Sequence, residues 1–447
     1  MEKNLTSGSV FKTILLFSLP FLLSYFLQTL YGMADLFIIG QYDGTASITA
    51  VAIGSQIMHM LTVMIVGLGM GTTVAVGRAV GERRNDKTAD AIGNTVVIFL
   101  AGSLILTVLL LSVVRPLVAL LSTPAEAVEG TVRYLVICFA GIPFITAYNV
   151  ISSIYRGLGD SRSPMYFVAA ACVVNIVLDY LFIGWLGLGP AGAALGTTLS
   201  QAVSVGIALA VVRLRRDGPV IRRENFRLRS EVSGPILRVG IPISLQDGFI
   251  QVAFIVITII ANMRGLNDAA AVGIVEKVIC LLFLVPSAML ASVSALASQN
   301  IGADRYDRAR RTLLYGILIS AGYGVVIAVL SQFYAPEILR LFEDSPAVIR
   351  LGSQYLRGYV WDGILVGIHF CFSGYFCACE HSGISFLHNA LSIVLVRIPG
   401  SWLGSHLFAD TLLPMGLAAP AGSLLSVIIC VIAYILLLHH DRKNMEE

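Results

Sequence analysis

Charge is what this sequence has least of. Asp, Glu, Lys and Arg make up 13% of its 447 residues, about half the quarter typical of soluble domains. With 57% of residues hydrophobic and a mean hydropathy of +0.84, a soluble globular chain is excluded; most of the solvent around it is lipid. The net charge of +3 is small. The basic stretch 213–229 reads as a topogenic linker near anionic headgroups rather than a nucleic-acid site, so no nucleic-acid partner is expected. Cysteine is sparse too. Most of the seven (Cys138, Cys172, Cys280, Cys371, Cys430) lie within apolar runs, as small packing residues do, and not in a disulfide framework.

Other absences remove whole chemistries. No Gly-x-x-x-x-Gly-Lys-Ser/Thr run occurs, which argues against direct ATP hydrolysis. There is no His-Glu-x-x-His, no Ser–His pair stands out, and nothing resembles a selectivity filter, so neither an enzyme nor a channel is expected. Gly157-Leu158-Gly159-Asp160 fits the Gly-x-Gly-Asp of intramembrane aspartyl proteases but falls in a loop. Cys371, Cys377, Cys379, His381 and His388 match no zinc spacing, so no metal site is expected. The run Gly67-Leu68-Gly69-Met70-Gly71 suits close helix packing.

What is present is a succession of apolar runs long enough to span a bilayer: 11–39, 46–77, 88–114, 125–150, 164–184, 190–212, 238–262, 271–299, 309–333, 347–376, 384–408 and 414–438. Backbone groups in hydrocarbon must pair internally, and the runs are too long and continuous for barrel strands. The fold class is therefore all-α: a polytopic membrane protein of twelve transmembrane helices in the lipid bilayer. Met1–Ser9 is polar and precedes a full-length span without a cleavage pattern, so no signal peptide is expected.

Orientation follows from the basic residues. About 22 of the 30 Lys and Arg fall at the termini (Lys3, Lys12, Arg442, Lys443) or on the even-numbered loops, including Arg83, Arg84, Lys87, Arg156, Arg162 and the stretches 213–238 and 305–311. This predicts a multi-pass membrane protein with both termini in the cytoplasm.

Shifting the sequence by 221 residues aligns Val51–Ser161 with Val272–Ser382 without a gap. Val51, Gly81, Arg84, Asp86, Leu120, Tyr134, Leu135, Ser152 and Ser161 are among the residues that meet identical ones. Pro20 and Pro242 open the first span of each half, one residue off this register. Two pseudo-symmetric six-helix lobes follow, 1–212 and 238–447, joined by a cytoplasmic basic linker at 213–237. Six is even, so the repeats are parallel, with a cavity expected between them and rocking as the means of alternating access.

A charge at mid-membrane costs about 2.5–3.5 kcal/mol on insertion scales, so each one needs a reason. Gln28, Tyr31 and Asp35 share one face of the first span, and Asn175 and Asp179 one face of the fifth; Thr197, Thr198 and Ser200 follow on the sixth. Two facing carboxylates cannot both ionise cheaply, so such a pair takes up a proton or holds a monovalent cation. The bland alternative puts Asp35 in a hydrated outer mouth and has Asp179 capping or pairing locally. The second half offers Gln246, Asp247, Glu276, Lys277, Asp362 and Arg397. Glu276 and Lys277 cannot face each other, Asp247 is placed near a helix end, and Asp362 with Arg397 reads as structural ion pairing.

With the two halves, the segment Tyr31-Gly32-Met33-Ala34-Asp35-Leu36-Phe37-Ile38-Ile39-Gly40 and the loop Tyr155-Arg156-Gly157-Leu158-Gly159-Asp160-Ser161, the chain resembles the multidrug and toxic compound extrusion (MATE) transporters along essentially its whole length. The best match is the prokaryotic branch with its cation site in the amino-terminal lobe; Gln28, Tyr31, Asp35, Asn175, Asp179 and Thr197 stand at the matching places. The resemblance implies efflux of amphipathic, cationic small-molecule drugs by antiport against H+ or Na+, with no other cofactor, by a monomer. Asp362 corresponds to a tenth-helix acid used by other relatives, and Glu276 and Gln246 complete a possible second site. A lipid or lipid-linked oligosaccharide flippase shares the architecture and is the alternative.

Overall fold

The computed structural model describes residues 5–121, 123–214 and 219–446. Lys3 and, in the predicted linker, Arg215 and Arg216 lie outside the described residues, as do the side chains of Arg442 and Lys443. Among the described residues every regular element is helical. The first half runs α1 (Val10–Tyr42), α2 (Thr45–Gly81), α3 (Asn85–Leu120), α4 (Ala125–Ala140), α5 (Ile142–Gly157), α6 (Arg162–Asp179) and α7 (Gly189–Leu214). The second runs α8 (Ser230–Arg264), α9 (Leu266–Leu282), α10 (Leu284–Gly302), α11 (Tyr306–Arg340), α12 (Pro346–Tyr359), α13 (Asp362–Ala378), α14 (Ser382–Ser392), α15 (Ile398–Leu407) and α16 (Leu413–Glu446). Among the described residues eleven helical stretches are long and apolar enough to cross a membrane, and the bent pair α4–α5 makes a twelfth if it is one span.

Lipid-facing surfaces explain the hydropathy. On α3, Leu104, Ile105, Val108 and Leu109 are all more than half exposed, an apolar stripe that only a non-aqueous solvent would tolerate. The opposite faces pack inward: Val51, Leu135, Cys138, Phe139 and Ile142 form one core, and Val272, Ile279, Tyr355, Leu356 and Tyr359 another. The chain forms two compact units, one mainly of residues 19–240, the other mainly of 241–301 and 305 onward together with 7–18.

The 221-residue shift is written into the backbone. Arg83 and Asp304 both turn left-handed, each at φ 56°, and so do Gly159 (φ 84°) and Glu380 (φ 62°). Two of these positions carry the same turn whether or not glycine is there, so the loop geometry is inherited by position. The break between α4 and α5 at Gly141 likewise recurs between α12 and α13 at Val360–Trp361. The glycine run on α2 serves packing: a Cβ on Gly69 would lie 2.5 Å from Ser153 Oγ, and one on Gly71 1.9 Å from the Ile236 carbonyl.

Several boundaries differ from expectation. The fourth span continues to Gly157 and bends by 49° at Gly141. Pro143 has no N–H to continue the ladder there, and a Cβ on Gly141 would strike the Thr198 methyl at 2.4 Å. Arg156 therefore belongs to α5 and not to a loop; it is buried, donates from Nη2 to Ser153 Oγ at 2.7 Å and lies over the Phe21 ring. Asp160 caps α6, accepting from the backbone N–H of Arg162 and Ser163 at 3.0 and 3.2 Å, so the Gly-x-Gly-Asp segment is a turn and a helix cap. Pro20 and Pro242 do not open their helices but lie well inside α1 and α8.

The seventh span begins at Ser230, inside the predicted linker. That linker is pinned to α3: Arg229 pairs with Asp90 at 2.9 Å, Asn225 Nδ2 donates to Asp90 Oδ1 at 2.7 Å, and the Arg229 N–H donates to Asn94 at 2.9 Å. Because α8 starts this early, Asp247 sits at mid-helix and not near an end.

Candidate functional site

In the first unit, α1 carries Asp35 into the interior, where it is 3% exposed. That burial does not fit the expectation of an exposed position at the helix end. Thr197 of α7 donates from Oγ1 to Asp35 Oδ2 at 3.0 Å. Asp179, the last residue of α6, and Asn175 one turn before it are both fully buried and face Asp35. Asp179 caps nothing. It stands where α6 passes into a π-helical turn, Tyr180–Trp185, a rare geometry that tends to mark functional sites. The approach depends on Gly196: a Cβ there would lie 2.1 Å from Asp179 Oδ1 and 3.6 Å from Asn175 Nδ2.

The polar atoms are conspicuously under-paired. No hydrogen-bond partner among the described residues reaches Asp35 Oδ1, either oxygen of Asp179, or either amide atom of Asn175. Among the described residues no basic side chain pairs with the two carboxylates. At an effective dielectric of 20, two unit negative charges 4 Å apart repel by about 4 kcal/mol, before desolvation is counted. Buried charges persist only when paired or neutralised. The group consists of hard oxygen atoms suited to a proton or a monovalent alkali cation.

Tyr31, one turn before Asp35, accepts at its hydroxyl from Gln201 Nε2 at 3.4 Å. Gln28 lies a further turn away against Tyr148 of α5, so it borders the group without touching the carboxylate pair. Sequence reasoning missed Gln201, although it is four residues beyond Thr197 and so on the same face of α7. It also missed Tyr134 and Cys138 of α4, which lie close to Asp35. Tyr134 carried a signal, being one of the positions identical across the repeat.

The second unit gathers a different set. Asp362, the first residue of α13, is fully buried. Arg397 ends a second π-helical turn, Ile393–Arg397. Its Nη2 lies 3.8 Å from Asp362 Oδ2 and donates to the Tyr359 hydroxyl, and its guanidinium stands 5.4 Å from the Phe254 and Tyr359 ring centres. Glu276 accepts from Thr258 Oγ1 at 3.0 Å and is also among the charges around Arg397. Lys277 is exposed, turned away from Glu276. The expected pairing of Asp362 with Arg397 is present. Gln246 does not join the group: it precedes Thr258 by about 18 Å of rise along α8, and its amide atoms are buried without a partner among the described residues.

Comparisons with known proteins agree with this two-part plan. The MatE family model matches twice, over residues 20–181 and 242–403, two equal segments that follow the repeat. The probable multidrug resistance protein YpnP of Bacillus subtilis (strain 168) is 30% identical over 408 residues, 90% of this chain and 91% of that protein. A protein of Shewanella oneidensis named FAD transporter is 25% identical, covering 96% of this chain and 95% of its own length. A crystal structure of MATE in the straight conformation shares the fold at a TM-score of 0.91 and 24% identity, over 98% of both chains. The chain thus belongs to the MatE family, whose members are multi-pass membrane transporters and not enzymes.

Proposed function

We propose that this protein is a secondary antiporter that exports amphipathic, cationic small molecules in exchange for inward-moving H+ or Na+, by alternating access. The observation that carries the reading is the pair Asp35 and Asp179: two buried carboxylates with under-paired oxygens and no basic partner among the described residues. A cation arriving there removes the repulsion, and Asn175, Thr197 and Tyr31 supply oxygens around it. The carboxylate pair is carried by α1 and α6, so its neutralisation bears directly on how these helices pack. Pro20 leaves the Leu16 carbonyl of α1 without its helical donor, which makes that helix easier to bend. One charge moving down 100 mV yields about 2.3 kcal/mol, enough for about fifty-fold accumulation of a neutral solute. Relatives named for multidrug resistance support drugs as cargo. In this reading the protein is a monomer in the plasma membrane with both termini cytoplasmic, and 1–212 and 238–447 are its lobes.

The FAD transporter relative, aligned over 96% of this chain, favours a second reading in which the cargo is an anionic dinucleotide. One experiment addresses both. Proteoliposomes with wild type or Asp35→Asn are loaded with ethidium or FAD and energised in turn by a proton or a sodium gradient. Gradient-driven ethidium export by wild type alone is expected, and the effective gradient names the ion. Full coupled export by Asp35→Asn would sink the mechanism, and export of FAD but not ethidium would replace the cargo.

A further inference from the structure

The second unit holds a cavity of about 460 Å³ where α11 gives way to α12. Its walls include Arg340, Arg350 and Arg357 against a single carboxylate, Asp344. Arg340 has only a marginal pair with Glu337, at 4.0 Å. Arg350 and Arg357 have no carboxylate partner among the described residues. Arg357 is half-buried, and its Nε is buried without a hydrogen-bond partner among the described residues. The wall is held firmly: Gln354 Oε1 accepts from Thr411 Oγ1 at 3.0 Å and from the Leu412 N–H at 3.3 Å, and Gln332 Nε2 donates to the Arg357 carbonyl at 3.0 Å. The cavity also takes in Pro346, at the positive end of the α12 dipole.

The repeat shows that this charge is not a by-product of the fold. Under the 221-residue shift Arg350 falls on Glu129, Arg357 on Val136 and Arg340 on Ala119. In the first half Glu129 bridges Arg115 and Arg133, each at 3.6 Å, so both of those arginines have a carboxylate partner. In the second half an arginine stands at the bridging position and two more flank it. A partly buried guanidinium without a counterion is costly. Guanidinium forks match the oxygens of phosphate groups bidentately. A cavity of this size, against about 30 Å³ for one water, has room for a phosphate with an organic substituent.

We propose that this cavity binds a phosphate-ester anion between Arg340, Arg350 and Arg357. The same chemistry is offered by an anionic phospholipid headgroup and by a soluble phosphate monoester, and the test separates them. The full chain, purified in neutral detergent, is titrated with phosphatidylglycerol in mixed micelles and, separately, with glycerol 3-phosphate, with binding read by native mass spectrometry and thermal shift. The variants are Arg357→Gln and Arg350→Glu; Arg350 is exposed, and its variant carries the acid found at the matching position of the first half. Wild type is expected to bind at least about tenfold more tightly than either variant, the value of one charge-assisted hydrogen bond. Preference for phosphatidylglycerol assigns a lipid headgroup, and competition by glycerol 3-phosphate assigns a soluble ester. Absence of binding to wild type, or equal affinity in wild type and Arg350→Glu, overturns the proposal.

Discussion

The two units bury acids in different ways. In the first, Asp35 and Asp179 face one another with Asn175 and Thr197, and no basic residue among those described answers them. In the second, Asp362 and Glu276 have Arg397 among them, held also by the Tyr359 hydroxyl and two aromatic faces. One group has its countercharge fixed in the protein and the other does not. The second group still has buried oxygens without a hydrogen-bond donor among the described residues, on Asp362 and Glu276, but a basic side chain stands beside them. The first group has no such side chain among the described residues. Duplicated scaffolds can thus keep a common backbone while a single basic side chain changes the electrostatics of one half.

The largest effect should come from removing that fixed countercharge. Arg397→Gln leaves buried acid unpaired and should cost about 3–5 kcal/mol of stability, read as a fall in melting temperature. Restoration by the double variant Arg397→Gln with Asp362→Asn would identify the pair as the cause; an unchanged melting temperature in the single variant would erase the contrast between the halves. In the first half, Asp179→Asn should do the opposite, preserving or raising the melting temperature while drug accumulation against a tenfold cation gradient falls by up to about tenfold, the worth of that gradient in a one-for-one exchange of monovalent cations. If Asp179→Asn melts lower and still transports, the acid is structural.

Two smaller changes sharpen the geometry. Gly196→Ala places a methyl on Asp179 Oδ1 and should cost about 1–3 kcal/mol by overpacking, with weakened cation dependence; full activity would mean that α6 and α7 can separate freely. Thr197→Val removes the donor to Asp35 and should shift the half-maximal cation concentration by about tenfold, the scale of one hydrogen bond to a charged group. No shift would place Thr197 outside the coupling site.

Much of this was legible in the sequence. Charge scarcity and run length gave the helices, because lipid imposes internal pairing on every backbone group. The gapless 221-residue shift anticipated paired loop turns at Arg83 and Asp304. The spacing of Asn175 and Asp179, and of Tyr31 and Asp35, put each set on one face of its helix because helical periodicity is a local property; that the two faces meet was implied by the family resemblance. What stayed hidden depends on contacts between helices. Gly196 looks like any other glycine until Asp179 lies against it, and Arg156 reads as a loop residue until Ser153 and Phe21 bury it. Gln246 looked like a partner of Asp362 because linear order carries no information about the long rise of α8 between them. The grouping of Arg340, Arg350 and Arg357 was invisible for the same reason, since they are distributed over two helices.

The π-helical turn after Asp179 has a mechanical meaning. Such a turn accommodates one residue more than the α-helix around it needs, so it is a register shift held in place. Were it to relax to regular α geometry, the residues on its two sides would rotate relative to each other by about 100°, the angle one residue occupies in a helix. Asp179 sits at the edge of that turn and Trp185 at its far end. A rotation of that size would carry the carboxylate off the face that meets Asp35. The turn can therefore serve as a detent, a place where a small change in local charge is converted into a discrete angular step.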